Sequence, residues 1–166
     1  MSHPTQYQSR LEAYTEGKDP LAMQSTTPTI LAELVEGVSD EELRRRPLPD
    51  MWSVGEILAH LAEELVSSWR YRQMIENSGC ALLAFDQDEW ARRGKYASWK
   101  PADALQLFRL LREGNLRMLA ELTVDEWARH GVHAERGKIT VKDLARHMAG
   151  HDMNHVDQIR VILGKT

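Results

Sequence analysis

Seven histidines occur in the chain, at positions 3, 60, 130, 133, 147, 151 and 155. His147, His151 and His155 follow one another at intervals of four. Residues i and i+4 of a helix lie one above the other, about 40° apart around the axis. Two imidazoles so placed can share one metal ion, and the surrounding apolar pattern selects the pair. Val141, Leu144, Met148, Ile159 and Ile162 mark a heptad-like seam. Continuing that seam puts His151 and His155 at core positions and His147 at its edge. A histidine where Leu or Ile is expected forgoes about 1.5–3 kcal/mol of apolar burial, and a bound ion would compensate. His60, between Ile57 and Leu61 on the flank of another apolar stripe, is the natural third partner. Three neutral imidazoles suit Zn, Ni, Fe or Cu in the +2 state. They leave coordination positions open, as catalytic metal sites do.

Other chemistries fit less well. The segment His151-Asp152-Met153-Asn154-His155 has Asp where a zincin protease carries its general-base Glu. A di-iron bundle needs repeated Glu-x-x-His, and the last helix has no Glu. No Gly-rich phosphate loop, G-x-S-x-G or Cys-x-x-Cys is present. Glu64, one turn beyond His60, and His147 are the candidates for proton transfer. Asp152 and Asp157 each follow or lie near a core histidine and point about 100° or more away, toward supporting groups or solvent. Arg72 and Arg112 are placed to meet an anionic substrate, and Trp90 to roof a pocket above the metal. Cys80 reads as a small packing residue. His3 falls in a frayed end, and His130 and His133 in a loop.

These side chains need helices to hold them. Thr27-Pro28 pairs a capping residue with a proline at a first helical position, predicting a helix over 28–38. Ser39 to Glu42 opens a short extra turn. Ser53-Val54-Gly55-Glu56 is a capping box that starts a helix running to about Asn77, with Val54, Ile57, Leu58, Leu61 and Leu65 on one face. Residues 80–100 read as a long, partly ordered connection. Pro101 opens a third helix carrying Leu105, Phe108, Leu111, Leu119 and Leu122. A second connection, over 123–138, contains Gly131 and Gly137. Thr140, with Asp143 three residues on, starts the last helix, which stops at Gly164 after about 24 residues, roughly 36 Å. Strand signals are almost absent. The expectation is an all-α four-helix bundle.

The 166 residues read as a single domain, 1–166, with residues 1–20 a loosely ordered N-terminal extension. With 21 Lys+Arg against 25 Asp+Glu the net charge is −4. Without a basic stripe, neither nucleic acid nor an anionic membrane is an expected partner. No stretch approaches the roughly 20 apolar residues of a membrane span, and the first ten residues lack the apolar core of a signal peptide. A single cysteine fits a reducing cytoplasm. Exposed apolar helix positions are compatible with a homodimer.

Two segments together resemble the DinB/YfiT-like superfamily of metal-binding four-helix bundles. One is Trp52-Ser53-Val54-Gly55-Glu56-Ile57-Leu58-Ala59-His60-Leu61. The other is Gly137-Lys138-Ile139-Thr140 followed by His151-Asp152-x-x-His155-x-x-Gln158-Ile159. Thr27-Pro28 and the run from Phe85 to Trp90 add to the likeness, which spans residue 20 to the end. The resemblance implies one divalent metal held by three histidines, matching His60, His151 and His155. Relatives include bacillithiol S-transferases and mycothiol-dependent isomerases, which implies a low-molecular-weight thiol as cofactor and an S-transferase-like activity on a small molecule. Two other functions fit the residues: a hydrolase that activates water, and a non-catalytic metal or small-ligand binder.

Overall fold

A computed structural model describes residues 6–64 and 68–165, with the side chain of Glu64 set aside. Helix starts follow local capping chemistry. In α4 (Val54–Glu64) the Glu56 amide donates to Ser53 Oγ, and the Ser53 amide donates back to Glu56 Oε2. The same reciprocal box, Thr140 with Asp143, starts α9 (Val141–Leu163), and Gly164 ends it in the left-handed conformation at φ 63°. α7 (Pro101–Ala120) begins at Pro101, where the missing N–H has no intrahelical partner to lose.

Two starts differ from expectation. Helix α2 spans Pro20–Val35, capped by Asp19, and Pro28 lies inside it. The buried face of α2 is Gln24, Thr27, Leu31 and Leu34, and its first half is polar, which hides the helical seam from a hydrophobicity pattern. Residues 6–15, expected to be a loose extension, form helix α1 (Gln6–Thr15). Its two buried residues are Leu11 and Thr15, and the helix packs on α9.

Four long elements make the bundle. α2 packs on α7 and α9, and α4 packs on α7 and α9, so α7 faces α9 across the core. Phe108, Ile57, Leu58, Leu61, Met148 and Ile159 fill the interior. The short α3 (Asp40–Arg44) precedes α4, and α5 (Ser68–Glu76) lies beyond it. Residues 65–67, including the expected seam residue Leu65, fall outside the description, as does His3.

The connections hold more order than the sequence suggests. Residues 80–100 contain β1 (Cys80–Leu82), α6 (Gln87–Arg93) and a 3-10 turn at Tyr96–Ser98. After α8 (Val124–Ala128) come β2 (His130–His133) and β3 (Gly137–Thr140). β1 pairs parallel with β2, Leu82 opposite His133, and β2 pairs antiparallel with β3. Strands of three or four residues are too short to show a period-two pattern. No helix among the described residues is long and apolar enough to cross a membrane.

Candidate metal centre

The apolar stripe of α4 carries His60 to the α4–α9 contact, and the seam of α9 carries His151 and His155 to meet it. All three are buried, at 3%, 4% and 8% exposure. His60 Nε2 lies 3.2 Å from His151 Nε2, which lies 3.2 Å from His155 Nε2. All three donor atoms fall within 4.8 Å of one another. The donors fit a metal ion: with metal–nitrogen bonds of about 2.0–2.1 Å, tetrahedral ligands sit about 3.3 Å apart. Two of the three nitrogen separations match that spacing and the third pair lies within 4.8 Å, so the three imidazoles can serve one ion.

His155 shows how a ring is aimed. Its Nδ1 lies 2.9 Å from Gln158 Oε1. An amide oxygen only accepts, so Nδ1 carries the proton and the Nε2 lone pair faces the cluster. The indole of Trp52 packs 4.9 Å from the His60 ring. Behind it Tyr96 lies edge-on to Trp52 at 6.2 Å and donates from its hydroxyl to Glu63 Oε2 at 2.7 Å. Trp99 completes the aromatic column at 6.1 Å from Tyr96.

The remaining expected site residues are scattered. His147 is half-buried, its ring 6.3 Å from that of His151, beside the cluster and outside it. The Glu64 side chain lies outside the description. Arg72 is exposed on α5. Trp90 is exposed and stacks on Phe85 at 4.4 Å, while the ring against His60 is Trp52. Arg112 is buried, 1% exposed, rather than on an open surface, and donates to both oxygens of Asp152, at 2.8 and 2.6 Å. Asp152 is therefore a core ion-pair partner. Asp157 accepts from Tyr14 at 2.6 Å and Arg160 at 2.9 Å. Sequence reasoning missed Gln158 as a support, although its i+3 spacing from His155 marks the same helix face. It also missed Gln24, which precedes the helix expected over 28–38 and so gave no signal of a helical position.

Fold and site define a helical bundle with a buried three-histidine cluster between two of its helices. The chain belongs to the DinB superfamily, whose sequence pattern matches residues 25–159. A protein of Oceanobacillus iheyensis, provisionally named a metal-dependent hydrolase, is 22% identical over 134 residues, covering 80% of this chain and 77% of its own. YfiT of Bacillus subtilis, also provisionally named a metal-dependent hydrolase, is 23% identical over 163 residues, covering 96% and 92%. The solved structure of YfiT, described as having an unusual four-helix bundle topology, superposes with a TM-score of 0.78. That superposition has 18% identity and covers 100% of this chain and 93% of YfiT. A mycothiol-dependent maleylpyruvate isomerase superposes with a TM-score of 0.64 and 14% identity, covering 98% of this chain and 65% of the isomerase.

Proposed function

We propose that this chain is a divalent-metal-dependent hydrolase acting on a small molecule, with His60, His151 and His155 as the metal ligands. The observation that supports it most is the convergence of three buried Nε2 atoms at 3.2 Å steps, in a chain whose sequence relatives carry the name of metal-dependent hydrolases. When bound, a divalent ion in such a site supplies Lewis-acid polarisation and lowers the pKa of what shares its open positions. The chain's own residues orient and shield. Gln158 holds His155 in the ligating tautomer. Trp52 excludes water from one side of His60. His147, half-buried beside His151, is the group we assign to moving protons between the site and solvent. Glu64, one turn past His60, is the second candidate.

A second reading is a thiol-dependent transferase or isomerase. It is favoured by the likeness in fold to an isomerase that depends on mycothiol. Titration with Co(II), followed by its visible absorption, tests both. One ion per chain is expected, with ion-dependent cleavage of ester or amide substrates that rises toward neutral pH. A protein that binds no Co(II) rules out the metal reading. A sulfur-to-cobalt charge-transfer band on adding a small thiol, with turnover that needs the thiol, replaces the hydrolase by the transferase or isomerase.

A further inference from the structure

We propose that Arg112, Asp152 and Gln24 form a positioning network that sets the rotation and height of α9, so that His151 and His155 meet His60. The proposal rests on the three-histidine metal reading and adds how the bundle holds that site in register. Arg112 comes from α7, Asp152 from α9 and Gln24 from α2, and none is more than 1% exposed. Arg112 Nη2 donates to both Asp152 oxygens, and its Nη1 donates to Gln24 Oε1. Gln24 Nε2 in turn donates to the Ala145 carbonyl on α9 at 2.8 Å. The guanidinium thus ties α7 to α9 directly at Asp152 and, through Gln24 of α2, at the Ala145 carbonyl.

The placement of Asp152 is what connects this network to the histidines. It follows His151 directly and precedes His155 by three residues. At about 100° per residue, Asp152 lies about 100° around α9 from His151 and about 60° from His155, so it meets Arg112 of α7 while the histidines meet His60 of α4. Rotating a helix by about 20° moves a group about 5–6 Å from its axis by about 2 Å. Metal–ligand distances tolerate only about 0.2 Å. An apolar contact between α7 and α9 can slip by such an amount, whereas a guanidinium bonded to both carboxylate oxygens resists it.

Stability alone does not account for the network. A buried ion pair is often no more stabilising than apolar groups of the same volume. Here Arg112 Nε has no hydrogen-bond partner among the described residues, and the guanidinium rests 5.0 Å over the Phe108 ring. An apolar bundle core would hold at this level without any of the three polar groups.

The test is the double variant Arg112→Met/Asp152→Leu in the full chain. Circular dichroism should remain helical and the melting temperature should match or exceed wild type. Co(II) affinity should nevertheless weaken about 10–100-fold, the usual effect of removing an outer support from a metal site. In metal-free crystals of the variant the three Nε2 atoms should no longer lie within 4.8 Å of one another. Asp152→Asn, which keeps one oxygen for Arg112 and loses the second, should give an affinity between those of wild type and the double variant. Wild-type Co(II) affinity with unchanged Nε2 separations in the double variant would overturn the proposal. If wild type itself binds no Co(II), the metal reading fails, and the metal-free separations still decide the network. Should the double variant not fold, Arg112→Lys, which keeps the charge and loses the two-pronged bond to Asp152, is measured in its place, and unchanged affinity and separations there have the same meaning.

Discussion

The same residue type stands in two regions of this molecule and is held in two ways. His60, His151 and His155 sit in the bundle interior with their Nε2 atoms pointed at one another. His130 and His133 sit half-buried on β2, in the small sheet at the bundle's edge. There His130 Nδ1 lies 3.1 Å from Ser78 Oγ, which also accepts from the His130 amide. Burial, with Arg136 and Arg70 nearby, holds the pKa of His133 below the ordinary imidazole range. The strand histidines thus have neighbours that use or repel them singly. Only the helical ones bring several lone pairs to one point. His151 and His155, four apart, share a face of a helix, whereas His130 and His133, three apart on a strand, point to opposite faces.

The largest effect that could break this contrast is metal content. Replacing His60, His151 or His155 by Ala should remove most of the metal from protein purified without chelator, lowering affinity by at least the 10–100-fold lost with an outer support. His130→Ala and His133→Ala should retain one ion per chain. His147→Ala should also retain it, since its ring lies outside the cluster. Elemental analysis decides this, and stoichiometric metal in the His151 variant would put the ligands elsewhere.

The next effect concerns the seam behind His151. Gly150 packs against α1 so closely that a Cβ would lie 2.4 Å from the Leu11 carbonyl oxygen. That neighbour is backbone, so Gly150→Ala must displace α1. The expected loss is about 1–3 kcal/mol, as for other overpacked sites, and chemical denaturation reads it directly. The same displacement should strain the Tyr14–Asp157 hydrogen bond, 2.6 Å in the native chain. A variant as stable as wild type would mean that α1 is not held where it lies.

Much of the site was legible in the sequence because the signal was an interruption. Two histidines on an otherwise apolar seam, and a third on the flank of a capped apolar helix, stand out against their neighbours. The capping boxes at Ser53 and Thr140 were legible because they are local, four residues each. Arg112 with Asp152 was not, because a contact across 40 residues leaves no spacing. An arginine on a middle helix then looks like a surface or substrate group. Gln24 and Thr27 concealed the start of α2 by being polar and buried together. α1 was hidden for a related reason: its fold is decided by α9 and by Gly150, not by its own composition.

A smaller effect lies at the start of α4. Glu56 is buried, which by itself raises its pKa, but the Arg46 guanidinium and the Ser53 amide and hydroxyl bring it below the ordinary glutamate value. A carboxylate with a depressed folded pKa adds stability that is complete above its unfolded value of about 4.3 and fades as pH falls through the folded value. Unfolding free energy should therefore decline with acidification below about pH 4.3. Glu56→Gln should flatten that limb by about 1 kcal/mol, the worth of a modest hydrogen bond. Acid unfolding curves that coincide for the two proteins would remove Glu56 from the account.

The smallest effect sharpens the contrast between the buried and exposed faces. Gly114 lies inside α7, as Gly150 lies inside α9, and the two differ only in what faces them. A Cβ at Gly114 meets nothing within 4 Å, and the position is exposed. Glycine there leaves the unfolded chain more conformational freedom and the helix no contact in return. Gly114→Ala should stabilise the protein by about 0.5–1 kcal/mol, about 1–4 °C in melting temperature for a chain of this size. Metal affinity should not change, because the added methyl group points to solvent. Measured beside Gly150→Ala, the substitution isolates geometry from propensity, since helix propensity favours alanine equally at both sites. If both variants lose stability, the exposed face of α7 is covered in solution, and a second copy of the chain becomes the occupant to look for by sedimentation.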